Sequence, residues 1–166
     1  MFRKGLEHVP EPYRRVVEEL LRELKEFFGG KLVSLVVYGS VARGDFSAGS
    51  DLDLLIVIDG IPRSRLERLE LFEHVEERVR PVIEGLGIEV SPVIKSPDEA
   101  RRITPLYLDL VEDAIIVYDR DGFFERILMK LRAKLKELGA ERVRVGKKWY
   151  WRLKREYRLG EVISIE

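Results

Sequence analysis

Cysteine is absent from the 166 residues, which removes disulfides, thiol nucleophiles and every zinc or iron–sulfur centre that needs a thiolate. Asparagine and glutamine are absent too, and threonine occurs once, at Thr104. Low amide content combined with 36% charged residues leans toward a thermophile source. With His8 and His74 as the two histidines of the chain, a histidine-rich metal centre is excluded, and carboxylates are the main metal ligands left. No apolar run approaches the length that crosses a bilayer, and the opening MFRKGLEHVPEPY lacks the apolar stretch of a signal peptide. The expectation is a cytoplasmic protein with no membrane partner.

What is present supports a folded domain. Hydrophobic residues make up 45% of the chain, enough for a core at a length that suits one domain with an appendage. Basic and acidic residues balance at 30 each, yet unevenly: residues 141–160 carry eight cations against Glu141 and Glu156. That stretch has a net charge of +6, which leaves −6 for the rest. An acidic body with a basic tail is expected.

Apolar residues recur with helical period over about residues 12–28, and Gly29-Gly30 ends the run. Residues 31–38 (KLVSLVVY) and 52–58 read as strands, the second apolar on both faces after its first residues. A helix opens near Pro62, and Pro81 is expected to end or bend it. A third strand covers 88–94 (IEVSPVI), where Pro92 points to a sheet edge, and a fourth covers 114–118. Two short helical turns over 97–112 separate these strands, and a long helix over about 122–138 ends at Gly139. The fold class is therefore α/β (α+β), a small mixed sheet of about four strands flanked by helices. The expected division is a domain over 1–140 and a basic aromatic extension over 141–166, packed on or beside it.

The chemistry concentrates in residues 36–58, VVYGSVARGDFSAGSDLDLLIVI. Asp51 and Asp53 stand two apart at the start of a strand, so their carboxylates point to the same face. Two like charges side by side are costly without a cation, and hard oxygen ligands suit Mg²⁺. Gly39 lets the backbone approach a ligand closely, and Ser40 adds a hydroxyl beside backbone N–H donors. Phosphate matches such a turn, with Arg43 placed to neutralise its oxygens. Ser50 could orient Asp51 by a hydrogen bond. Neither GxxxxGK[ST] nor GxGxxG is present.

This segment resembles the core signature of the nucleotidyltransferase superfamily with a polymerase-beta-like fold, in particular its minimal archaeal and bacterial members. Gly39, Ser40, Arg43, Gly44, Ser50, Asp51 and Asp53 match it without a gap. The resemblance implies that Gly39 and Ser40 hold the β- and γ-phosphates of an NTP, ATP first among them, and that Asp51 and Asp53 bind divalent ions. It implies transfer of a nucleoside monophosphate to a hydroxyl acceptor, with pyrophosphate leaving. The acceptor is a protein, a small molecule or a nucleic acid.

Such chemistry needs a third carboxylate, and Glu89 on the third strand is the candidate for metal binding and proton removal. The family usually carries Asp there. The other reading leaves Glu89 in solvent at a strand edge. Asp45 and Asp59 suit turns better, and His74 suits a solvated helix face.

The basic stretch 142–158 has two readings as well. Trp149, Trp151 and Leu153 alternate with Tyr150, Arg152 and Lys154, as in a strand folded back on the body. Cations interleaved with aromatics also suit nucleic acid. The wider resemblance is to nucleotidyltransferase-type antitoxins that work beside a helical HEPN-type ribonuclease. It offers a second function: an interaction protein whose nucleotide site modifies that partner or is degenerate. A homo-oligomer is compatible with either.

Overall fold

In the computed structural model, residues 1–154 and 159–165 are described. Arg155, Glu156 and Arg158 of the basic stretch lie outside the described residues. The elements run β1 (Arg3–Lys4), α1 (Tyr13–Phe28), β2 (Leu32–Tyr38), α2 (Gly39–Arg43), β3 (Leu52–Ile58), α3 (Arg65–Leu86) and β4 (Val90–Lys95). They continue through α4 (Pro97–Ala100), α5 (Pro105–Asp113), β5 (Ile115–Asp119), α6 (Phe123–Leu138), β6 (Glu141–Val145) and β7 (Lys148–Arg152).

The main sheet is mixed and five-stranded, in the order β1-β5-β2-β3-β4. That is one strand more than expected. The addition is β1, whose Arg3 and Lys4 pair in parallel with β5, and two residues are too few for a hydrophobic period to reveal. β4 lies at the opposite edge, as Pro92 required. Leu52 N–H donates to Glu89 O, and with Leu52 opposite Val90 the missing N–H of Pro92 points to the open side. Pro81 does not end α3, which continues to Leu86 with the proline inside. Residues 77 and 81 are exposed there, so water can satisfy the Glu77 carbonyl that loses its helical donor.

Strand alternation builds two cores. Leu54, Ile56 and Ile58 of β3 face α1 and α3, where Val17, Leu20, Phe72 and Val79 are buried. Leu55 and Val57 face α5 and α6, packing with Tyr107, Leu110, Phe124 and Leu131. Each such side chain removed from water contributes about 1.5–3 kcal/mol. β3 is thus covered on both faces, and its parity turns Asp51 and Asp53 toward the α5 side.

At the far end of the sheet, the buried Arg68 guanidinium ties three elements together. It donates to Pro62 O and Ile94 O, and it grips both oxygens of Glu99 at 2.6 and 3.0 Å. The Arg68 hydrogen bond, with help from Ser96, holds the Glu99 carboxyl down to about 2. Because the folded value lies below the unfolded one, this stabilisation is present above pH 4.5 and is lost as pH falls toward 2. Melting curves across that window should therefore fall more steeply for the natural chain than for Glu99→Gln. At neutral pH the variant should be less stable by about 1 kcal/mol, since Arg68 loses the charge and one of the two acceptor oxygens of a carboxylate that solvent partly screens.

The C-terminal residues fold back as the hairpin β6–β7, with Arg142 opposite Trp151 and Arg144 opposite Trp149. Trp151 packs on the α5–α6 core and donates from Nε1 to Asp109 Oδ1 at 3.1 Å. Arg142 clamps Asp113 with two hydrogen bonds, at 2.5 and 3.1 Å. Arg152 pairs with Glu141 at 2.6 Å, so part of the hairpin's positive charge is neutralised within the chain. Among the described residues no helix is long and apolar enough to cross a membrane.

Candidate active site

The site forms where β2 ends and β3 begins. Tyr38 lies opposite Asp53 in the antiparallel register, and Gly39 follows immediately with a φ of 75°. A Cβ built on Gly39 would run into the Asp53 carboxylate. Glycine is required here on two counts, the left-handed backbone and the close approach. The glycine turn and the aspartate are therefore adjacent parts of one structure.

The electrostatics follow from that closeness. Burial pushes the Asp53 carboxyl above its ordinary value and the Asp51 charge adds to the rise, while Arg43 opposes it. The Tyr38 phenol is likewise pushed up by burial, then by Asp53. Two carboxylates whose mutual repulsion is incompletely offset have the donor chemistry of a divalent-cation site. Asp51 is exposed and Asp53 half-buried, so one oxygen-bearing group faces solvent and its neighbour is anchored. The pair offers oxygen ligands of the kind a hard divalent cation such as Mg²⁺ takes.

Between β3 and the preceding α2, the loop is held in shape by its own bonds. Ser50 Oγ accepts from Ser47 N–H at 2.9 Å, and Ser50 O accepts from the Tyr13 hydroxyl at 3.0 Å. The Ser50 hydroxyl thus shapes the loop, where the sequence suggested an orienting bond to Asp51. Tyr13 also meets Phe46 edge-on at 5.2 Å, which fastens the loop to α1. Arg43 Nε donates to Asp45 Oδ2 at 3.2 Å, an exposed pairing that an incoming phosphate can replace.

Glu89 sits just before β4, exposed, with its carbonyl bonded to Leu52 N–H. Continued back by one residue, the Leu52–Val90 register sets its backbone opposite Asp51. Among the described residues, however, no group of three His, Asp or Glu side chains is gathered as a metal cluster. The structure brings together Gly39, Arg43, Asp51 and Asp53, and leaves the Glu89 side chain apart.

A family profile described as a nucleotidyltransferase domain matches residues 17–104, from within α1 to the residue before α5. The chain belongs to the nucleotidyltransferase family. Its relatives include a protein of Methanocaldococcus jannaschii provisionally named protein adenylyltransferase, 29% identical over 81% of this chain and 90% of that one. The protein adenylyltransferase MntA of Thermococcus cleftensis is 37% identical over 45% of this chain and 66% of its own. Among solved structures, a toxin–antitoxin crystal structure with AMP-PNP aligns at 16% identity and a TM-score of 0.47, covering 74% of this chain and 91% of that one.

Several wall residues of this nucleotidyltransferase were not foreseen. A cavity of about 140 Å³ beside the glycine turn is lined by Tyr38, Gly39, Arg43, Leu106, Asp109, Leu110 and Asp113. Gly39 and Arg43 were foreseen; Tyr38 could be found only through the β2–β3 register, and Leu106, Asp109, Leu110 and Asp113 only through the packing of α5. Asp113 is buried and held by Arg142, so the hairpin braces this wall. Arg101 and Arg102 stand at the other end of the sheet.

Proposed function

We propose that the protein transfers AMP from ATP to a hydroxyl group of another protein. Support comes from the family, from the names of its relatives as protein adenylyltransferases, and from one observation above all. A Cβ on Gly39 would meet the Asp53 carboxylate, so the glycine turn proposed to hold phosphate lies directly beside the carboxylate pair.

In this reading Gly39 and Ser40 hold the β- and γ-phosphates, and Arg43 exchanges Asp45 for phosphate oxygens. Asp51 and Asp53 would hold Mg²⁺, which when bound supplies Lewis acidity to the attacking hydroxyl and to the departing pyrophosphate. The acceptor oxygen bonds to the α-phosphorus as the bridge to the β-phosphate breaks. The hydroxyl proton passes to solvent at the exposed Asp51 side of the pair, because the Glu89 side chain stands apart.

The HEPN-type ribonuclease implied by the sequence resemblance is the acceptor to try first. Intact-mass spectrometry of that protein, after incubation with this chain, ATP and Mg²⁺, should show one added AMP, and EDTA should abolish it. A stable complex with no added mass would favour the interaction-protein reading.

A further inference from the structure

We infer that the protein carries a second binding site, for single-stranded nucleic acid, at the end of the sheet remote from the aspartate pair. Two cavities meet there. The larger, about 890 Å³, opens at the C-terminal ends of β3 and β4, so ~20 Å of strand separates it from Asp53. The other, about 670 Å³, runs along α6. Both are lined by Arg101, Arg102 and Phe123, which makes them one continuous track.

The charge on this track is one-sided. Eight cationic side chains line it against four carboxylates, in a chain whose totals are 30 and 30. Two of those carboxylates are already engaged, Glu99 by Arg68 and Asp98 by Arg101. Among the described residues, Arg63, Arg102, Lys130 and Lys134 have neither an ion pair nor a side-chain hydrogen bond. Four uncompensated cations held on a concave surface attract a polyanion.

Shape and chemistry favour nucleic acid over an acidic protein segment. Lys130 and Lys134 are one helical turn apart, about 6 Å along α6, a step that suits successive phosphates of an extended strand. The Arg101 guanidinium lies over the Phe123 ring at 5.0 Å, where the two cavities join. That stack presents a flat face for a base, and Ile103 and Ile127 continue an apolar floor. The larger cavity is rich in guanidiniums, which bind phosphate oxygens in pairs. An amphipathic protein helix would need an apolar floor along its whole length, and the larger cavity does not offer one. The hairpin is the poorer candidate, since Arg142 and Arg152 are consumed by Asp113 and Glu141.

The test is fluorescence anisotropy of the full chain with a labelled oligouridylate of about 12 nucleotides. Four contacted phosphates predict a slope of log affinity against log salt of about −3. The triple variant R102A/K130A/K134A should bind at least about tenfold more weakly, with its slope falling toward about −1. The milder K130Q/K134Q, confined to two positions on α6, should lose about threefold or more. The double variant D51N/D53N should bind as the natural chain does, which separates this site from the transferase site. Undiminished binding by either folded track variant would overturn the proposal. Displacement of the oligonucleotide by polyglutamate as readily as by unlabelled RNA would also overturn it, in favour of an acidic protein ligand.

Discussion

Asp53→Asn should lower nucleotidyl transfer by about 10³-fold or more while leaving the fold intact. The loss follows from its position: Asp53 is the anchored member of the pair, against the Gly39 turn. An amide there cannot supply the negative charge that offsets a divalent cation, which corresponds to several kcal/mol of transition-state stabilisation. Stability should move the other way. Burial and the Asp51 charge both disfavour ionised Asp53, so a neutral side chain of the same shape relieves repulsion. A steady-state assay and a thermal melt on the same preparation check both halves. Loss of activity with an unchanged or slightly raised melting temperature is the expected pair of results.

Gly39→Ala should lower transfer by about 10²-fold or more, by a different route. At a φ of 75° an L-residue is strained by about 1–2 kcal/mol. The added Cβ also meets the Asp53 carboxylate, so that carboxylate must shift, and small displacements of catalytic groups are expensive. Gly44 provides the control. Its φ is 84°, yet a Cβ there would meet nothing within 4 Å. Gly44→Ala should therefore lose similar stability but keep turnover within about tenfold of the natural chain, because no carboxylate is displaced. Equal losses of activity in the two variants, measured under saturating ATP, would mean that backbone strain alone governs the site.

These two residues also mark what a linear reading can reach. Gly39 and Asp53 were legible because a glycine turn and a spaced aspartate pair belong to short segments whose geometry is local. The helices over α1 and α6 and the central strands were legible for the same reason, being regular apolar patterns. β1 was not, since Arg3 and Lys4 pair with β5 more than a hundred residues later. Pro81 looked like a stop or a bend because local rules count the lost hydrogen bond and not the solvent that replaces it.

The limits were greatest where charge and chain reversal decide the outcome. Summed along the sequence, the basic surface seemed to be the tail over 142–158. In three dimensions Arg142 is paired with Asp113, while four further unpaired cations, Arg63, Arg102, Lys130 and Lys134, converge from two loops and α6. Tyr38 reaches Asp53 through strand register, and Asp109 and Asp113 reach the same wall through α5. Neither relation has a signature in residue spacing.

The central claim, that the Gly39 turn and the aspartate pair transfer a nucleotide and not a phosphate, is tested most directly with two labels. The chain is incubated with the HEPN-type protein proposed as acceptor, Mg²⁺ and ATP labelled at either the α- or the γ-phosphate. Label from the α-position should appear on the acceptor and label from the γ-position in pyrophosphate, with both signals lost in Asp53→Asn. Acceptor labelled from the γ-position, or α-label transfer that survives Asp53→Asn, would contradict the account.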